Sequence, residues 1–174
     1  HSLKGNSIRG SRQNIRYHYD MGNNFFAEWL DDNMQYSSGH YNKNIQTLEK
    51  AQENKFNRIN SYLNFTGNEK LLEIGCGWGT LSQYLYNKNQ IDIDAITISH
   101  EQLKYASALN LKDSKKSCKY LLQDYRKTNG KYNRIISIEM IEAVGHEYLP
   151  QFFKTISDLL EPNGKMVLQA IVMP

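Results

Sequence analysis

The stretch Leu71-Leu72-Glu73-Ile74-Gly75-Cys76-Gly77-Trp78-Gly79-Thr80 constrains the fold of this chain more than any other. An apolar run of strand length enters a turn with glycine at three alternate positions, and an amphipathic segment over Leu81–Tyr86 follows. A strand that ends in such a turn and restarts as a helix opens a β-α-β unit. The glycines admit positive φ and remove the Cβ atoms that would hold a ligand away from backbone N–H groups at a helix start. The spacing is Gly-x-Gly-x-Gly, not the Gly-x-Gly-x-x-Gly that seats a dinucleotide pyrophosphate on the helix N-terminus. Glu73, two residues before the first glycine, would repel pyrophosphate but could orient a cationic group. The amino-acid end of S-adenosylmethionine is such a group, reached directly or through water. A glycine triplet alone also fits a plain tight turn; the acid and the strand before it favour the cofactor reading.

The units that follow repeat the alternation. After the strand at Lys70–Ile74, strands are expected at Ile91–Ile98, Tyr120–Gln123, Arg134–Ile138 and Lys165–Met173, with helices over Leu81–Tyr86, Glu101–Leu111 and Phe152–Leu160 between them. This order predicts an α/β fold, a parallel sheet wound on both sides. A preceding helix is expected over residues 45–64, with Ile45, Leu48, Phe56, Ile59 and Leu63 as its apolar stripe and Lys and Glu on its other faces. With 174 residues and 40% hydrophobic content the chain can bury one sizeable core. The reading divides it into residues 1–44, an N-terminal arm and lid segment, and residues 45–174, the cofactor-binding domain.

Within the first segment, Lys4, Arg9, Arg12 and Arg16 stand among Gly, Ser and Asn. They read either as a solvated linker or as an electrostatic contact with anionic lipid. From His18 to Tyr41 the composition turns aromatic. A short helix near residues 23–31 would place Phe25, Phe26, Trp29 and Leu30 on one face, and the hydroxyls of Tyr36-Ser37-Ser38-Gly39-His40-Tyr41 could close over a ligand.

A net charge of +3 without a basic stripe gives no ground for nucleic-acid binding. Cys76 and Cys118 lack metal-ligand spacing, so no metal site is expected, and they do not make a disulfide framework. The cytoplasm is therefore the default location, and no stretch approaches the ~20 apolar residues of a membrane span. In a doubly wound sheet the ligand sits outside the carboxyl ends of the strands. Those ends carry Glu73 to Gly79, Thr97 to Gln102, Asp124-Tyr125 and Glu139 to Glu142. Asp124 offers an acceptor for an adenine amino group, Tyr125 a ring face, and Gln102 a donor and an acceptor for a ribose. A nicotinamide cofactor is disfavoured, because the acid expected about 20 residues beyond the glycine turn is replaced by Thr97.

Seven blocks in the chain carry a resemblance. They are His18-Tyr19-Asp20-Met21-Gly22-Asn23, Met34-Gln35-Tyr36-Ser37-Ser38, Leu48-Glu49-Lys50-Ala51-Gln52, Leu72 to Gly79, Thr97-Ile98-Ser99-His100-Glu101-Gln102, Leu122-Gln123-Asp124-Tyr125-Arg126 and Ser137 to Gly145. In this order they resemble the cyclopropane-fatty-acyl-phospholipid synthases, which include the mycolic acid cyclopropane synthases. The resemblance implies a class I methyltransferase (Rossmann-like) fold that uses S-adenosylmethionine on cis double bonds of phospholipid acyl chains, peripheral to the inner membrane at a bilayer surface. By position, Tyr36, Ser37, Gly75 and Gly77 would hold the methionine part, Thr97 and Gln102 the ribose region, and Asp124 and Tyr125 the adenine. Glu142 matches a glutamate that helps hold a bicarbonate ion, and Ile171 an isoleucine whose backbone amide faces that ion. Ser38 stands where many members have Cys, and Gln169 where many have His, both in the bicarbonate pocket.

The family pattern continues for two further strands and a tyrosine beyond Pro174, so the chain is expected to be a fragment with the last two strands missing. The strand at Lys165–Met173 would then offer an open edge, which predicts a homo-oligomer or aggregation. Two rival functions remain: a small-molecule N- or C-methyltransferase, and a cofactor- or lipid-binding module without activity.

Overall fold

The computed structural model describes residues 22–45 and 47–172. The basic residues expected to form an arm lie outside the described residues. Five strands form one parallel sheet: β1 (Lys70–Ile74), β2 (Asp92–Thr97), β3 (Cys118–Leu122), β4 (Tyr132–Ile138) and β5 (Leu160–Gln169). Their order is β3-β2-β1-β4-β5. The helices are α1 (Gly22–Ala27), α2 (Leu48–Leu63), α3 (Thr80–Asn89), α4 (His100–Ala106) and α5 (Leu149–Leu159). Strand order reverses at β1, which lies between β2 and β4, so the crevice that a doubly wound sheet offers a ligand opens at the carboxyl ends of β1 and β4.

Alternate residues of the strands feed two apolar layers. Leu71, Ile93, Ala95 and Ile136 pack with Phe56, Ile59 and Leu63 of α2 and Leu81, Leu85 and Tyr86 of α3. On the other face Leu72, Ile74, Ile96 and Ile135 meet Phe152, Ile156 and Leu159 of α5, which recur at helical spacing. Helices therefore cover both faces, as the alternation predicts.

Several boundaries differ from expectation. Helix α1 stops at Ala27, because the chain turns back through Trp29 and Leu30, whose amides reach the Phe26 carbonyl, and Met34 takes a positive φ of 53°. Helix α2 starts at the Thr47 N-cap, whose side chain accepts from Lys50 N, and ends at Asn64 in the left-handed region. Helix α4 is only seven residues long. Strand β5 begins directly after α5, five residues before the expected start, and pairs Leu160 with Tyr132 across a register shift. Pro162, Asn163 and Gly164, which stand between the expected helix and strand, lie here within the irregular opening of the strand. Its end at Gln169 leaves Ala170–Val172 outside the sheet.

The stripe of α2 also needs correction. Its buried face holds Gln52 and Lys55 besides Ala51, Phe56, Ile59 and Leu63, whereas Leu48 is only half-buried. Gln52, Lys55, Phe56, Ile59 and Leu63 follow an i, i+3, i+4, i+7, i+11 progression, so the helix carries two polar groups into the interior. Both point toward the lid loop.

Candidate active site

The glycine turn is tied to its neighbour strand and to the lid. Gly75 N and Cys76 N both donate to the Ile96 carbonyl at 3.0 Å. Trp78, 2% exposed, donates from Nε1 to Asn23 Oδ1 at 2.8 Å and packs on Phe26 with ring centroids 5.2 Å apart. Thr80 Oγ1 donates to the Asn33 carbonyl at 2.7 Å. These contacts hold α1 and the loop after it over the turn.

The glycines have different tasks. Gly77 sits at φ +54° with no atom within 4 Å of a Cβ built on it, and it faces a cavity. A side chain there would project toward a ligand. Gly79 sits at φ +85°, where a Cβ would meet Tyr120 Cε1 at 2.6 Å and Ala106 Cβ at 2.7 Å. The third glycine is thus required by packing of α3 against β3 and α4.

The cavity measures about 490 Å³ and lies at the carboxyl ends of the strands. The structure brings to its walls all nine residues expected to hold a cofactor: Tyr36, Ser37, Glu73, Gly75, Gly77, Thr97, Gln102, Asp124 and Tyr125. Phe25, Trp29 and Tyr36 line it while remaining about half exposed, which gives it an aromatic rim.

Glu73 is 3% exposed and accepts a short hydrogen bond from Ser82 Oγ. Burial lifts its pKa from 4.5 to about 7, opposed by the Ser82 hydroxyl and by the positive charge of Lys55. Lys55, equally buried, donates to Ser37 Oγ at 2.7 Å and to the Ser37 carbonyl at 3.4 Å. Burial lowers its pKa to about 8, against the attraction of Glu139, Asp31 and Glu73. Gln52 Nε2 also donates to the Ser37 carbonyl at 2.8 Å, so Ser37 is held by two side chains of α2.

Thr97 Oγ1 donates to Gln102 Oε1 at 2.8 Å and accepts from Ser99 N at 3.2 Å, which locks the end of β2 to the first turn of α4. The Asp124 carboxylate is not the simple acceptor expected. Arg126 grips it from backbone N, Nε and Nη2 at 3.0, 2.9 and 2.6 Å, so any adenine contact shares that carboxylate with an arginine.

The four residues expected to act in catalysis fall into two sets, and neither has free donors for a bicarbonate ion. Glu142 Oε1 accepts from Ile171 N at 2.5 Å, so the amide expected to face an ion is spent on the carboxylate expected to share that ion. Ser38 and Gln169 converge on Glu139, which the sequence reading placed at a ligand-facing strand end but not among the catalytic residues. Glu139 Oε1 accepts from Ser38 N at 3.1 Å, from Ser38 Oγ at 2.6 Å and from Gln169 Nε2 at 2.8 Å. Glu139 N donates to the Gln169 carbonyl at 2.8 Å. Its φ of 47° is left-handed, a conformation that costs a side-chain-bearing residue about 1–2 kcal/mol. Glu139 lines the cavity, whereas among the described residues Glu142, Ser38, Gln169 and Ile171 do not. Glu142 was expected beside the reaction centre; the turn through Met140 and Ile141 carries it outside the cavity wall.

Comparison with known proteins agrees with this fold. The sequence profile of the mycolic acid cyclopropane synthetase family matches residues 6–174. The chain belongs to that family. It is 36% identical over 154 residues to the cyclopropane-fatty-acyl-phospholipid synthase of Escherichia coli strain K12, a match that covers 88% of this chain and 39% of that protein. It is 32% identical to cyclopropane mycolic acid synthase 3 of Mycobacterium tuberculosis, covering 92% and 56%. The chain thus spans about 39–56% of the length of these relatives. The crystal structure of mycolic acid cyclopropane synthase CmaA1 complexed with SAH and CTAB superposes with a TM-score of 0.85 at 30% identity, over 90% of this chain and 55% of that one. Coclaurine N-methyltransferase, at 17% identity and a TM-score of 0.68, shares the fold alone. The fold is that of the class I methyltransferases.

Among the described residues no group of three His, Cys, Asp or Glu could hold a metal ion. No described helix is long and apolar enough to cross a membrane.

Proposed function

We propose that the complete protein transfers a one-carbon unit from S-adenosylmethionine to an alkene in a lipid acyl chain, with phospholipid as the substrate class and a cyclopropane as the product. The observation that carries this reading is one cavity that joins the glycine turn, the buried Glu73 and the adenosine-type residues of β2 and β3 to an exposed aromatic rim.

The residues present fit S-adenosylmethionine. Gly77 leaves backbone exposed at the cavity wall, and Glu73 is a buried acid whose ionised form is only partly offset by the charge of Lys55. An ammonium group brought near Glu73 would favour its ionised form. Thr97 and Gln102 offer hydroxyl and amide groups at the ribose end, and Tyr125 offers a ring face beside the Asp124–Arg126 pair. When bound, the cofactor supplies an electrophilic methyl group on a sulfonium.

The chain's own residues supply position and dryness. An alkene is a weak nucleophile, and holding it in line can contribute about 7–11 kcal/mol of the barrier. Phe26, Met34 and Trp78 close the lid side of the cavity with apolar surface that excludes water. Phe25, Trp29 and Tyr36 form a rim onto which an acyl chain can slide from a bilayer surface. Enzyme and bilayer would therefore meet at this face, on the membrane's cytoplasmic side.

Relatives named for lipid methylation favour this reading over an amine substrate. The Tuberculostearic acid methyltransferase UfaA1 of Mycobacterium tuberculosis and the Sphingolipid C9-methyltransferase of Komagataella phaffii are each 33% identical to this chain. The amine methyltransferase supports only the fold. The test is incubation of the complete protein with methyl-labelled S-adenosylmethionine and vesicles of unsaturated phosphatidylglycerol or phosphatidylethanolamine, followed by mass analysis of the acyl chains. Label in a ring supports the proposal. Label in a methyl branch would change the product, and label only in added amines, or none at all, would refute it.

A further inference from the structure

We infer that Glu139 supplies in the protein itself the active-site anion that a bound bicarbonate ion would otherwise supply, so that this enzyme works without bicarbonate. The inference rests on the lipid alkene reading above and adds a catalytic residue to it.

The geometry of the donors points there. A small oxyanion is recognised by converging N–H and O–H groups, and the site offers Ser38 N, Ser38 Oγ and Gln169 Nε2. All three already converge on one oxygen, Glu139 Oε1, within 3.1 Å. The remaining amide expected for the ion, Ile171 N, is on Glu142. A bicarbonate ion would have to displace a tethered carboxylate from these donors and then sit beside its charge, which the described residues, with no second free cation there, disfavour. The buried cation close enough to feel Glu139 is Lys55, and it is spent on Ser37.

The pairing also gives Ser38 and Gln169 a reason. Cys and His at these positions would offer a weaker thiol donor and a ring that can protonate. A hydroxyl and an amide instead give two neutral donors that suit a carboxylate. The backbone is shaped to deliver it: Glu139 adopts a left-handed φ at the end of β4 and donates its own N–H to the Gln169 carbonyl, which aims its side chain along the cavity wall toward Ser38. Glu139 Oε2 takes no hydrogen bond among the described residues, so one oxygen is anchored and the other is available as a base.

The proton step balances with this residue alone. Once methylated, the acyl chain carries one added CH₃ and one positive charge. Glu139 Oε2 accepts one proton from that CH₃, and the C–H electron pair becomes the second new carbon–carbon bond, which closes the ring and discharges the chain. The carboxylic acid then returns its proton to water. Until the proton leaves, the carboxylate stabilises the adjacent cation.

The test uses the complete protein with S-adenosylhomocysteine, in buffers stripped of dissolved CO₂ and then supplied with ¹³C-bicarbonate. Binding is read from the ¹³C line width and by calorimetry, and turnover from acyl methylation. The wild type is expected to bind no bicarbonate and to keep its turnover in stripped buffer. Glu139→Gln should lower turnover by about 10²-fold or more while leaving S-adenosylhomocysteine affinity within a factor of two or three of wild type. Glu139→Gly frees the donors, opens the space and removes the strained φ, so it should bind bicarbonate and recover turnover when bicarbonate is added. Bicarbonate binding or bicarbonate-dependent turnover in the wild type, full turnover in Glu139→Gln, or a folded Glu139→Gly that binds no bicarbonate would each overturn the inference. Should the wild type methylate no lipid, the functional reading fails and the binding measurements still decide whether Glu139 fills the anion site. If Glu139→Gly does not fold, wild-type binding and Glu139→Gln suffice.

Discussion

Replacing Glu73 by Gln removes a buried acid whose cost depends on pH, and the structure sets both the size and the sign of the effect. Without ligand, the carboxylate is fully enclosed, and burial raises its pKa from 4.5 to about 7 against the hydroxyl and backbone N–H of Ser82 and the charge of Lys55. A rise of that extent corresponds to about 3 kcal/mol, to order of magnitude. Below pH 4.5 the acid is protonated in both folded and unfolded chains and costs nothing extra. Between pH 4.5 and about 7 the folded protein holds a proton that the unfolded chain has lost, so stability falls as pH rises. Lys55 adds the opposite slope: its pKa is depressed to about 8, so stability should climb again from there to about pH 10.5. The pair therefore places a minimum in its contribution near pH 7–8, where both groups are charged. Urea denaturation of the ligand-free protein measures it. Glu73→Gln, which can still bond Ser82, should be close to wild type at pH 4.5 and more stable by up to about 3 kcal/mol at pH 8. A stability difference that does not change between these two pH values would refute the argument, because ionisation of the enclosed Glu73 carboxylate falls between them.

The glycines of the turn should separate by function. Gly79→Ala combines left-handed strain with collision against Tyr120 and Ala106, which should destabilise by about 2–4 kcal/mol in thermal or urea unfolding. Gly77→Ala meets no neighbour, so it should cost only about 1–2 kcal/mol of strain while weakening S-adenosylhomocysteine binding in calorimetry. Glu142→Gln keeps an acceptor for Ile171 N and stands outside the cavity, so turnover should fall by no more than about tenfold, with cofactor affinity intact. A loss as large as that of Glu139→Gln would return Glu142 to the reaction centre. Among the described residues β5 pairs only with β4, so the 174-residue chain expressed alone should self-associate through the outer edge of β5 in sedimentation velocity, and a monodisperse monomer would refute this.

The sequence by itself determined the order of elements, because that order is written in local chemistry. Leu71 to Thr80 could hardly be other than a strand, a turn and a helix, and β1 runs from Lys70 to Ile74 as expected. The strand ends, and with them the nine residues that meet at the cavity, follow from the alternation once a doubly wound sheet is accepted. What only the tertiary structure decided is the fate of individual polar side chains. Lys55 differs little from the exposed Lys50 of α2 until the helix is laid on the sheet and its stripe is seen to include it, a signal present in the spacing from Gln52 to Leu63 but masked by the charge. Asp124 reads as a free acceptor until Arg126 folds back on it. Gly79 reads as part of a ligand cradle until Tyr120 and Ala106 arrive beside it. Glu139 and Glu142 are three residues apart in one short motif, and no local rule says which of them faces the cavity. That choice is made by a left-handed φ at Glu139 and by two donors, Ser38 and Gln169, that lie 101 residues before it and 30 after it. Propensity and periodicity act over a few residues, whereas a hydrogen bond between distant segments exists only after the sheet has set their positions.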